Sequence, residues 1–594
     1  MTTYRAPLRE IGFVLHELLD IDRLGRLVPF GTATVDVVDA VLQGAARLCE
    51  KVLFPLNQIG DEEGCHFENG VVRTPSGFRD AYKIFTEGGW NSLACDPAFG
   101  GQGLPEVLNF ALAEMACSTN LAFYTYPALS HAAYTLVNAH GSDEMKRTFL
   151  PGLVSGRWSG TMCLTEPQCG SDLGLIETKA QPQADGSYKL NGTKIFISAG
   201  DHDLTENIIH LVLARPVEAP PGTQGLSLFL VPKFELKPDG SLGPRNGVSC
   251  GSIEKKMGIH ASATCTMNFD DAAGYLIGKR SRGLVYMRTM MDMARLIVSV
   301  QGLALAETAY QSAVAYARER RQGHAIGGMR RLDHAADPII VHPDVRRMLL
   351  TMKAYNESAR ALVYWVGLHV DVSHHDPDPE ARRSAADIVE LITPVVKSFL
   401  TDYGFEATNL GLQIFGGHGY IRKHGMEQLV RDARVGPLYE GTNGIQAIDL
   451  LGKLAAKSGS AVRRFFDLID RFIDQTKDRS DMQEFTRPLA KAHTRLQRMT
   501  AWIVDQCATN PQSAVAAASD YLRLFALVAL ASMWARIVET SKAALAKTPD
   551  DSFYQAKIAT ARFYMRYILP QSSSLVRAMI SGCRLMTELD AEAF

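Results

Sequence analysis

The sequence lacks any large block of one charge: lysine plus arginine number 62, aspartate plus glutamate 64, and the formal net charge is −2. A nucleic-acid binder would carry a basic stripe, so that class is excluded. Ten cysteines are scattered without disulfide or metal-ligand spacing. Cys163 and Cys169 lie six apart with no second pair, which argues against a zinc site and for a reducing compartment, expected to be the cytoplasm. No run of 18 apolar residues occurs, so no transmembrane segment is expected. A signal peptide is not expected either. Arg5 and Arg9 hint at a transit peptide, but Glu10, Glu17 and Asp20 interrupt its acid-poor pattern. Ile11, Val14, Leu15, Leu18 and Leu19 instead share the spacing of one helix face. No internal repeat is visible.

What is present is an ordinary globular composition, 46% hydrophobic and 21% charged, over 594 residues. That length suggests roughly three or four domains. Residues 1–155 read as helices, with Val35 to Leu53 and Leu108 to Leu121 helical in spacing. A Gly- and Pro-rich stretch from Gly88 to Pro105 lies between them, either a plain turn or a wall of a ligand cavity. Residues 156–285 change to a period of two. Asn191-Gly192 sits between two apolar-alternating runs and predicts a hairpin. Asn207 to Ala214, Leu226 to Val231 and Thr264 to Phe269 read as further strands of a small antiparallel barrel or sandwich. Helices return over 286–455, with a loop or insertion from Gly323 to Asp344 and a polar break from His374 to Pro379. Residues 456–594 are helical throughout.

Four stretches carry the chemistry, and a fifth would use it. Met162 to Asp172 begins as a strand and ends in Pro, Gly, Ser and Asp, so its backbone and hydroxyls suit a planar heterocycle and a phosphate. In Lys194 to Gly200, Phe196 and Ser198 are expected on one face of a strand, an aromatic to pack on a flat cofactor and a hydroxyl to bond its rim. Arg318 to Gly323 ends a helix, where arginine suits pyrophosphate; the alternative is a solvated basic end that complements the helix dipole. In Gln413 to Tyr420 the glycines let a phosphate or adenine approach the backbone, while His418 reads as structural rather than catalytic. The fifth stretch is Leu438 to Gln446. Glu440 is its only carboxylate, followed by Gly441, and Thr442 can cap the next helix. Alone, Glu440 is either a surface acid or a general base.

In this order and at these separations, the five stretches resemble the flavin-dependent acyl-CoA dehydrogenase family over roughly residues 35–455. The resemblance implies a multidomain α+β fold: an α-helical N-domain (1–155), an antiparallel β middle domain (156–285), a four-helix-bundle C-domain (286–455) and, as in a larger bacterial subgroup, an additional helical domain (456–594). It implies FAD held by Met162, Leu164, Thr165, Ser171, Phe196 and Ser198. Arg320, Gln322, Gln413, Gly416 and Gly417 would meet its pyrophosphate and adenine, often across a subunit interface, and Thr442 and Gly444 match contacts beyond the base. Ser171, Asp292, Arg295 and Gly441 match positions near CoA or its thioester; Arg295 reads equally as an ion-pair partner of Asp292. Glu440 would be the catalytic base. An electron-transfer flavoprotein and a homodimer are the implied partners. Two other readings stand beside this one: an acyl-CoA oxidase, and a non-catalytic assembly protein that keeps the fold.

Overall fold

The computed structural model describes residues 2–328, 335–455, 459–582 and 585–594. The expected domain boundary at 455/456 and part of the expected insertion, 329–334, touch residues outside this set. The chain divides into two compact units. One contains Leu42–Leu104 and Met115–Ile297. The other contains Met1–Val41, Pro105–Glu114 and Val298–Phe594.

The first unit holds a seven-stranded sheet: β1 (Trp158–Cys163), β2 (Lys179–Pro182), β3 (Tyr188–Ser198), β4 (Asn207–Pro216), β5 (Ser227–Pro232), β6 (Val248–Ile253) and β7 (Thr264–Ile277). Strands β7, β3, β2, β4 and β5 pair in a closed ring, with β6 added to β7 and β1 added to β4. Closure leaves the ring strands without a free edge. The inner core is Cys163, Leu190, Ile197, Val212, Phe229, Val231, Cys265 and Phe269. Most pairings are antiparallel as expected, but β1 and β2 both run parallel to β4.

The hairpin expected at Asn191-Gly192 does not form. Strand β3 runs straight through both residues. Opposite them β7 slips register between Phe269 and Ala272. Asn191 fastens that slip: its side chain donates to the Asp271 carboxylate at 2.8 Å and accepts from the Asp271 N–H at 3.0 Å. A Cβ on Gly192 would stand 2.4 Å from the Thr178 hydroxyl, so the glycine serves a close approach between strands rather than a turn. Strands β2 and β6 escaped the sequence reading because Lys179–Pro182 and Cys250-Gly251-Ser252 show no apolar alternation.

The helices used below are α1 (Glu106–His140), α2 (Gly283–Glu319), α3 (Pro343–His375), α4 (Pro379–Phe415), α5 (Met426–Ala433), α6 (Asn443–Ala455), α7 (Ser460–Thr476), α8 (Gln483–Thr509), α9 (Pro511–Leu545), α10 (Ser552–Phe563) and α11 (Gln571–Gly582). In the second unit α3 packs on α4, and α6 packs on α4. The polar break between α3 and α4 is three residues, and Asp378 ends it by capping the Glu380 N–H at 2.9 Å ahead of Pro379. Helix α2 crosses α4 backbone to backbone: a Cβ on Gly302 would lie 2.2 Å from the Leu400 carbonyl oxygen, and one on Gly404 would lie 2.5 Å from that of Gly302. The residues after 460 form α7 to α11, wrapped around α9, with no strand among the described residues. Helices α2 and α9 are long and apolar enough to cross a membrane, yet 83% and 72% of their most apolar windows are buried within the fold. Burial on all sides explains that composition.

Candidate active site

In the first unit, β1 leads into the Leu164–Asp172 segment, which lies against β3. The Ile195 N–H donates to the Thr165 carbonyl at 2.9 Å. Beneath that contact is a buried ion pair. Lys194 donates to the Glu166 carboxylate at 2.7 Å and to the Leu164 carbonyl at 2.9 Å. Glu166 also accepts from the Thr178 hydroxyl and N–H, from the Glu177 N–H at 2.8 Å and from Gln168 at 2.6 Å. Burial pushes its carboxyl up, but the Lys194 ammonium and these donors outweigh burial and hold it at about 2. Met162, Leu164 and Thr165 are thereby fixed half-exposed along one edge, and Ser171 is exposed beyond them.

Phe196 does not follow simple strand alternation. The β3–β7 register slips between Cys265 and Met267, so the core-facing residues are Lys194 and Ile197, three apart. Phe196 takes a left-handed backbone (φ +59) and leaves 59% of its surface exposed. An aromatic residue held in that conformation with an uncovered ring is a stored cost of roughly 1–3 kcal/mol, the kind found at ligand sites. Ser198, half-exposed, lies two residues on. On α2, Arg295 makes an ion pair with Asp292 at 3.1 Å and is largely buried, which is the pairing alternative for these two residues.

In the second unit the ends of α2 and α4 adjoin. The Tyr316 ring stacks on Phe415 at 4.1 Å and its hydroxyl hydrogen-bonds His418 Nδ1 at 2.9 Å. Around this stitch Arg320, Gln322, Gln413, Gly416 and Gly417 are all exposed. Gly416 has φ +58 and ψ −138, and an added Cβ there or at Gly417 would meet nothing within 4 Å. Open backbone beside an arginine is a suitable surface for a phosphate.

The Glu440 loop joins α5 to α6. Glu440 (φ +56) and Gly441 (φ +83) are consecutive left-handed residues, and Glu440 is half-exposed. Its carbonyl accepts from the Gln446 amide at 3.0 Å, and that of Gly441 accepts from Lys397 at 2.7 Å. Tyr439 donates its hydroxyl proton to Gln301. Thr442 caps α6 as expected, accepting from the Ile445 N–H at 3.3 Å, and Gly444, two residues on, is exposed. Sequence reasoning missed the supports, Lys397, Gln446 and Gln301 here and Glu166 and Lys194 in the sheet. The usable signal was a lone lysine inside an apolar run, Val395-Val396-Lys397-Ser398-Phe399-Leu400, and again in Lys194-Ile195-Phe196-Ile197.

Residues 38–157 match the acyl-CoA dehydrogenase N-terminal domain, 161–272 the middle domain, 281–455 the C-terminal domain, and 465–590 the acetyl-CoA dehydrogenase C-terminal like domain. The chain is 42% identical over 574 residues to 3-methylmercaptopropionyl-CoA dehydrogenase of Ruegeria pomeroyi, covering 96% of this chain and 97% of that one. The chain belongs to the acyl-CoA dehydrogenase family. A second member of the family, the broad-specificity linear acyl-CoA dehydrogenase FadE5 of Mycobacterium tuberculosis, is 34% identical over 618 aligned positions that cover 100% of both chains. The crystal structure of an acyl-CoA dehydrogenase complexed with FAD from Bacillus anthracis shares the fold, with a TM-score of 0.74 over 94% of this chain and 93% of that one at 19% identity. The four matched domains bear out the expected fold class, including the added helical domain. Within this family's fold, the sheet unit gathers Met162, Leu164, Thr165, Ser171, Phe196 and Ser198. The helical unit gathers Arg320, Gln322, Gln413, Gly416 and Gly417 at one place and Glu440 to Gly444 at another.

Proposed function

We propose that this protein is an FAD-dependent acyl-CoA dehydrogenase that converts an acyl-CoA thioester to the trans-2-enoyl-CoA, with Glu440 as the base that removes the α-proton. The observation that carries the reading is a half-exposed carboxylate on a left-handed Glu440–Gly441 turn whose two carbonyls are tied down by Gln446 and Lys397. The donor set suits FAD. An uncovered Phe196 ring offers a platform for a flat ring system, and the Thr165 and Ser198 hydroxyls suit its polar rim. Met162, Leu164 and Ser171 complete that edge, with Thr442 and Gly444 beyond the base. Arg320, with Gln322, Gln413, Gly416 and Gly417, suits pyrophosphate and adenine, in a homodimer from the neighbouring subunit. When bound, FAD supplies a hydride acceptor.

The chain's own part is binding, polarisation and proton removal. Ser171 and Gly441 are the residues assigned to CoA and its thioester, while Arg295 pairs with Asp292. The Glu440 N–H donates to the thioester carbonyl and spreads the charge that develops as the α-proton leaves, which is the logic of an oxyanion hole. Glu440 takes that proton, and the acyl chain excludes water from the carboxylate. Electrons leave to an electron-transfer flavoprotein.

Glu440→Gln keeps size and hydrogen bonding but removes the proton acceptor. The variant is expected to purify yellow, bind acyl-CoA and fail to bleach its flavin in a single turnover, a loss of at least about 10²–10⁴ in rate. Bleaching at the wild-type rate with normal flavin content would refute Glu440 as the base. A panel from propionyl- to palmitoyl-CoA, with a thioether acyl-CoA included, assigns the substrate.

A further inference from the structure

The Glu440 loop stands on a buried cation. Lys397 lies in the middle of α4 with its side chain fully buried. Its Nζ donates to the Gly441 carbonyl at 2.7 Å and to Asn443 Oδ1 at 3.0 Å. The Asn443 amide donates in turn to the Ser398 carbonyl at 3.1 Å and to the Asp402 carboxylate at 2.8 Å. Taking an ammonium out of water costs several kcal/mol, so on packing grounds alone this position favours an apolar residue. The peptide unit is planar and trans, so its carbonyl and N–H point in opposite directions. Lys397 draws the Gly441 carbonyl toward α4 and so turns the Thr442 N–H away from that helix. Gln446 does the same to the Glu440 carbonyl and the Gly441 N–H. Two successive peptide planes are thereby set, and because they flank Gly441 they hold its left-handed backbone directly behind Glu440.

We propose that Lys397 is a positioning residue for the proton transfer: acting through the Gly441 carbonyl, its ammonium locks the turn that aims the Glu440 carboxylate. The proposal rests on the reading of Glu440 as the base. A misplacement of about 1 Å is enough to cost on the order of 10²-fold in rate.

The test uses the holoenzyme with Lys397→Met, which preserves the packing and removes the donor. The expected result is normal FAD content and normal acyl-CoA affinity, with single-turnover flavin bleaching slowed on the order of 10²-fold and a larger α-deuterium isotope effect. Lys397→Gln keeps a neutral donor and should recover part of the rate. Wild-type bleaching in Lys397→Met overturns the proposal. So does a slowed rate that comes with equal losses of flavin and substrate binding, because a purely structural prop would behave that way. If Lys397→Met yields no soluble holoenzyme, Lys397→Gln decides: slowed bleaching at normal flavin content supports the proposal, and the wild-type rate overturns it. Glu440→Gln separates the two claims. If it bleaches normally, the reading of the base fails. If it is inactive while Lys397→Met is normal, only the positioning role fails.

Discussion

Glu166 and Lys194 form the support whose effect is simplest to measure. Both side chains are almost fully buried, and together they hold the Leu164–Thr165 backbone against β3. A carboxyl held at about 2 against an ordinary value of 4.5 favours the folded state where it is ionised in both states. The contribution is fully present above about pH 4.5 and is lost as pH falls toward 2. Its size is at most roughly 3 kcal/mol. Glu166→Gln leaves a buried ammonium unpaired, so it should lower stability by about 3–5 kcal/mol at neutral pH. The double variant Glu166→Gln/Lys194→Met should recover much of that loss. Denaturant melts at about pH 7 and pH 3 check both statements: the gap between wild type and Glu166→Gln should shrink at the lower pH. A gap that does not change with pH would mean that the carboxylate charge is not what stabilises this edge.

At the level of elements, the α2–α4 crossing depends on Gly302 and Gly404. Each lies where a Cβ would run into backbone rather than into a side chain that can swing away. Gly302→Val must therefore push the helices apart, and overpacking of this kind costs typically 1–3 kcal/mol or more. A thermal melt should show the loss. Helix propensity alone would favour Val over Gly, so a variant that melts higher than wild type would contradict the close crossing. The same geometry explains how a glycine persists inside a 37-residue helix. Helix spacing in the sequence marked residues 286–455 and 456–594 as helical. It could not show that the glycine in α2 is a contact rather than a tolerated weakness.

For the whole molecule, the added helices dock on the rest of their unit through charge as well as apolar surface. Lys557 of α10 is buried and reaches Glu357 of α3 at 3.0 Å and also the Glu10 carboxylate. The Trp534 indole of α9 donates to the Ala354 carbonyl of α3 at 3.0 Å. Burial and the neighbouring Glu357 push the Glu10 carboxyl up, and Lys557 opposes them. Lys557→Met removes the largest part of the opposition and leaves Glu10 beside Glu357 with Lys353 as the main remaining cation, so a destabilisation of about 3–5 kcal/mol is expected at neutral pH. The deficit should narrow as pH falls, because Glu10 then takes up a proton in the folded state and the repulsion ends. Melts of the variant at about pH 8 and pH 5 test the sign. A deficit that grows on acidification would show that the cluster is held together by something other than this balance.

The sequence by itself determined the order of helical and strand regions, the five stretches that carry the chemistry and the one carboxylate among Leu438 to Gln446. These are local properties: periodicity, punctuation by Gly and Pro, and residue types at fixed spacing along the chain. The tertiary structure alone decided what depends on neighbours far away in sequence. It decided that Asn191-Gly192 passes through a strand because Thr178 and Asp271 lie beside it, and that β1 and β2 run parallel to β4. It paired Lys194 with Glu166 and set Lys397 under Gly441, 44 residues away. A buried lysine and an exposed one are the same letter in the sequence. Only the groups packed around it determine whether it is a liability, a solvated charge or a clamp.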